Sequence, residues 1–117
     1  MNTPFFTISI DLELMWGMRD TLSIQKYGNN ILGGRKAIPL ILDLFNKHNV
    51  KATWAVVGLI TFSEKDELLE YLPKVLPDYK NLNLNPYSYI NEIGPNEKKD
   101  PYHYGYSLVK LIQDEKK

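Results

Sequence analysis

Asp11 and Glu13 are the two residues whose type and spacing best suit chemistry. They close the run Phe5-Phe6-Thr7-Ile8-Ser9-Ile10-Asp11-Leu12-Glu13. Side chains two apart on an extended chain point the same way, so both carboxylates project from one face. Such a pair can bind a hard or borderline divalent cation, or one member can take a proton as a general base. The spacing equally fits a strand-end Asp that caps loop N–H groups, beside a Glu on a solvated edge. The other titratable candidates are few. The histidines are His48 and His103, and there is no cysteine. Disulfide scaffolds, Cys-bound zinc and thiol catalysis are therefore excluded.

These side chains need elements to hold them. Phe5–Leu12 alternates Phe6, Ile8, Ile10 and Leu12 against Phe5, Thr7, Ser9 and Asp11, the period of a strand. Asp11 then sits at the C-terminal end of that strand, where parallel α/β folds place their sites. Residues 17–34 are rich in Gly and Asn and read as a long connection. Ile38, Ile41, Leu42 and Phe45 form an apolar stripe, predicting a helix over Arg35–Asn49. Pro39 suits that helix only near its start, at about Lys36. Lys51–Val57 reads as a second strand, and strand–helix–strand order implies a right-handed parallel βαβ unit.

Ser63-Glu64-Lys65-Asp66 resembles a capping box that opens a helix ending near Leu72, before Pro73. Residues 77–101 show no usable period and read as a loop or lid. A last helix begins around 105–107, with Leu108, Val109, Leu111 and Ile112 as its apolar face. His48 falls at the opposite end of the sheet from Asp11, as a surface residue at a helix C-terminus. His103 follows the long loop and can reach the site face. Arg19 and Asp20 read as an ion pair. Trp54, inside an apolar run, reads as core, and Tyr102, Tyr104 and Tyr106 read as packing.

The 117 residues make one small domain at most. Hydrophobic content of 44% and charged content of 24% are those of a globular chain. Lys plus Arg and Asp plus Glu both number 14, so the net charge is zero. No basic block is present to grip nucleic acid or an anionic membrane. No positive region precedes an apolar N-terminal run, and no stretch is long enough to span a bilayer. A cytoplasmic location is the expectation. Two parallel strands and three helices do not close a core. The fold class expected is therefore α/β, as the N-terminal portion of a larger domain. The rival is a small protein that completes its sheet by oligomerising.

The segments FTISIDLELMWGMRD and IPLILDLFNKHNVKATWAVVG resemble the opening of the polysaccharide deacetylases, the NodB-homology group of carbohydrate esterase family four. The resemblance spans residues 1–117, is strongest over 5–19 and 38–58, and returns weakly at Asp100-Pro101-Tyr102-His103-Tyr104-Gly105. It implies the N-terminal part of a distorted (β/α) barrel. It also implies a metal-dependent hydrolase that removes N-acetyl groups from sugars of a polysaccharide or its precursor, with a divalent metal such as zinc. On that resemblance Asp11 is the general base, Glu13 a metal ligand and Trp16 a substrate contact. The family's first motif has two adjacent aspartates, whereas Leu12 separates the acids here. The family's His-x-x-x-His metal motif and later histidine acid are absent, so the chain by itself is expected to be inactive. Two other readings stay open: a hydrolase of a small non-peptide amide on the same fold, and a non-catalytic α/β module that binds carbohydrate or a partner.

Overall fold

The computed structural model describes residues 2–115. β1 (Ser9–Leu12) pairs in parallel with β2 (Thr53–Val56), in the register Ser9↔Thr53 to Leu12↔Val56. The strand predicted from Phe5 begins only at Ser9, because the ladder opens where the Thr53 N–H donates to the Ile8 carbonyl. Phe5 and Phe6 are left 91% and 90% exposed. The alternation itself holds. Ile10 and Leu12, with Trp54 and Val56, turn toward the crossover helix, while Ser9, Asp11, Thr53 and Ala55 are exposed.

That crossover helix, α1, runs Ile24–Lys47. It swallows half of the connection expected over 17–34, and it carries Pro39 in its interior rather than at its start. The reason is a stripe of 3.5-residue period: Ile24, Gly28, Ile31, Arg35, Ile38, Leu42 and Phe45. Gly28 and Arg35 interrupt its apolar character but not its spacing. The Tyr102 ring lies against the Gly28 backbone, where a Cβ would come within 3.0 Å of it. Pro39 sits on the exposed face, where its missing N–H is cheapest. The helix ends as a Schellman motif. Asn49 adopts φ 51°, the Val50 N–H bonds the Phe45 carbonyl and the Asn49 N–H bonds that of Asn46.

Helix α2 (Lys65–Glu70) starts after Glu64 with no side-chain cap, so the expected Ser63–Asp66 capping box does not form. Of residues 77–101, expected to be a loop or lid, 77–84 stay mostly exposed, whereas 85–101 pack onto the core. Asn81 and Asn85 accept hydrogen bonds from the Asn83 and Tyr87 amides, and Pro86 opens the short helix α3 (Pro86–Tyr89). Ile90 and Ile93 are buried beyond it. α4 (Tyr106–Asp114) buries Leu108 and Ile112. The core joins Leu12, Ile38, Leu42, Ile60, Leu68, Ile90, Tyr104, Leu108 and Ile112. No helix among the described residues is long and apolar enough to cross a membrane.

Candidate functional site

β1 delivers Asp11 to its C-terminal end, opposite Ala55 on the exposed face of the sheet. The strand stops at Leu12, so the period-two argument does not extend to Glu13. Glu13 instead caps a 3-10 turn over Leu14–Gly17, and Leu14 follows in the left-handed region at φ 52°. A side chain at Gly17 would collide with the Glu13 carboxylate, so glycine is what lets that carboxylate fold over the turn. Asp11 and Glu13 are both exposed, and both line one cleft of about 340 Å³ between β1 and α1. The rest of the cleft is mainly apolar, including Ile10, Leu12, Ile31, Ile38 and Trp54.

Trp16 lies elsewhere. It is 8% exposed, and its indole N–H donates to the His103 carbonyl at 2.8 Å. Its ring meets Tyr89 and His103 edge-on, with centroids 5.7 and 5.6 Å away. Arg19 does not pair with Asp20. Its guanidinium donates to the Asn83 and Leu84 carbonyls and lies over the Tyr89 ring. His48 is exposed at the end of α1.

His103, 2% exposed, is the centre of a relay that the sequence pattern did not reveal. Asp100 holds its Nδ1 at 2.8 Å, and the Tyr89 hydroxyl lies 2.8 Å from its Nε2. Both ring nitrogens are therefore engaged. Burial pushes the Asp100 carboxyl up, but the His103 hydrogen bond, the Gly94 N–H and the neighbouring imidazole outweigh it and hold the group below its ordinary range. Burial, with the charges of Glu92 and Asp100, raises the Tyr89 phenol. The one sequence signal for the relay was the i, i+3 spacing of Asp100 and His103. A second network ties α1 to residues 97–107. Arg35 donates to Glu97 at 2.6 Å and to the carbonyls of Tyr104 and Pro101. Burial raises the Glu97 carboxyl, but bonds from Ser107 and Arg35 bring it below its usual value.

The relay fixes the turn that follows the acidic pair. The Met15 N–H bonds the Tyr102 carbonyl, beside the Trp16–His103 bond. Among the described residues no group of three or more His, Cys, Asp or Glu side chains is placed to hold a metal. A catalytic zinc needs three protein ligands. Asp11 and Glu13 do not by themselves meet that requirement. The chain matches no protein-family profile, no curated protein and no solved structure.

Proposed function

We propose that this chain carries the acidic tip of an amide hydrolase that removes N-acetyl groups from sugars of a polysaccharide or its precursor. What supports the reading is the position of Asp11. It is an exposed carboxylate at the C-terminal end of a parallel βαβ strand, on the open face of the sheet. Asp11 takes a proton from the attacking water, whose oxygen adds to the amide carbonyl carbon. The C–N bond then breaks, acetate leaves, and the sugar amine takes up a proton. The reading places the chain at the start of a (β/α) barrel whose further strands supply the remaining donors. Glu13 would be one ligand for a divalent ion such as zinc, which would supply positive charge to polarise the carbonyl.

The test is acetate release from an N-acetylated oligosaccharide, with zinc present, by the protein as its gene encodes it. Asp11→Asn lowers the rate by at least about 100-fold, the ordinary contribution of a general base. No acetate from the unaltered protein, or an unchanged rate in Asp11→Asn, overturns the reading.

A further inference from the structure

Both strands of the sheet run into a 3-10 turn, Leu14–Gly17 after β1 and Gly58–Thr61 after β2. Each turn holds one exposed glycine, and the two differ in what surrounds them. A Cβ at Gly58 would meet nothing within 4 Å, and the same is true of the exposed helical Gly33 and Gly34. At Gly17 it would lie 1.9 Å from Glu13 Oε2, 2.9 Å from Cδ and 3.0 Å from Cβ. Glu13 therefore lies across the bare α-carbon of Gly17 from the root of its side chain to the tip. Gly28, Gly94 and Gly105 also have close neighbours, but these are side chains of the core and of the Asp100 network. Gly17 is exposed, and its neighbour is a carboxylate.

The bend that brings Glu13 there is at Leu14, in the left-handed region at φ 52°. A residue with a side chain stays in that region only where its surroundings hold it. Leu14 is held in three ways. Its half-buried side chain packs against the core, and its Cδ1 would lie 3.2 Å from a Cβ at Gly105. Just beyond it, the Met15 N–H donates to the Tyr102 carbonyl at 3.0 Å and the Trp16 indole N–H to that of His103 at 2.8 Å. Within the turn, the Trp16 N–H donates to the Glu13 carbonyl at 3.2 Å. The backbone beneath Glu13 is thus fixed, although Glu13 itself is exposed.

We propose that Leu14 and Gly17 are positioning residues for Glu13. The bend turns its carboxylate back along the turn, and the bare α-carbon is the seat on which that carboxylate rests. A surface glutamate ordinarily samples many rotamers, and ordering it when a ligand binds costs free energy. A seated carboxylate is ordered before the ligand arrives, as a site held to within a fraction of an ångström requires. Both residues act through Glu13 rather than on a reacting atom. The functional half of the inference rests on the amide hydrolase reading, in which Glu13 serves the site at the tip of β1. The seat itself is a property of the fold and is measured without turnover.

Nuclear Overhauser contacts from the Gly17 Hα protons to the Glu13 Hβ and Hγ protons report the seat in the free protein. They are present in the unaltered protein and in Gly58→Ala, where the new methyl group enters open space. They are lost in Gly17→Ala, whose exposed position leaves the fold intact by circular dichroism. Leu14→Ala loses them as well, because alanine avoids the left-handed region, whereas Leu14→Gly enters it freely and keeps them. In the acetate assay Gly17→Ala lowers kcat/KM by about 10-fold or more, as misplacing an active-site group does. Gly58→Ala leaves kcat/KM unchanged. In a Glu13→Gln background the further change Gly17→Ala alters kcat/KM by less than about twofold, because residues that act through one another are not additive. Absence of the Gly17–Glu13 contact in the unaltered protein overturns the inference. So does full activity in Gly17→Ala, or an equal loss in both backgrounds. If the unaltered protein releases no acetate, the hydrolase reading falls and the contact alone decides the seat.

Discussion

Between β1 and α1 the molecule leaves an apolar cleft, two exposed carboxylates stand just at the end of β1, and no described strand pairs with the outer edge of β1. Around residues 89–107, with Arg35 of α1 reaching in, the opposite holds. Asp100, His103, Tyr89, Arg35 and Glu97 are all engaged, and no buried side-chain N or O among the described residues lacks a partner. The first region is regular secondary structure with unfinished surroundings. The second has little regular structure but a completed polar network. On the proposed reading the reactive group, Asp11, belongs to the first region, where it is exposed. Rigidity belongs to the second because each polar group there has a fixed partner.

The contrast breaks most sharply at Asp100. Asp100→Ala strands the His103 Nδ1 and the Gly94 N–H in the core, and urea unfolding should show a loss of about 3 kcal/mol. The same region sets the acid limb of stability. The carboxyls of Asp100 and Glu97 titrate lower folded than in the ordinary range, where their reference values are 3.8 and 4.5. Their contribution is full above those values and is lost as pH falls through the lower folded ones. Thermal melts from pH 6 downward should fall along that limb, and Glu97→Gln should flatten it. Alkaline loss has its own marker. Burial, with the Asp100 charge next, pushes the Tyr104 phenol up to about 12, so stability drops as pH rises from 10 toward that value. The smallest effect lies in the open region. Gly34→Ala, at an exposed interior helix position with free space around it, should stabilise by about 0.5–1 kcal/mol in the same urea assay.

The elements that could be read from sequence were those with a period, together with α2, marked by its start signal and by Pro73. β1, β2, the second half of α1 and α4 carry unbroken apolar spacing, and the parallel βαβ order followed from them. The first half of α1 was hidden because its stripe passes through Gly28 and Arg35, which serve a close ring contact and an ion pair rather than apolar packing. The local order of residues 81–101 was hidden for a different reason. It comes from Asn side chains bonding nearby amides and from contacts that close only in three dimensions, such as Tyr89 to His103. For the site, the place of Asp11 at the tip of β1 was legible. The bend at Leu14 that lifts Glu13 out of the strand was not, since a left-handed leucine leaves no pattern in sequence.

The central claim is that the open region performs the chemistry and the networked region only holds it in place. The direct test compares acetate release by Asp11→Asn and His103→Gln with the unaltered protein, each normalised to its folded fraction. The account predicts that Asp11→Asn loses at least about 100-fold in kcat at full stability. His103→Gln melts earlier but keeps kcat within about threefold per folded molecule. A rate that survives Asp11→Asn, or one that collapses in fully folded His103→Gln, would contradict it.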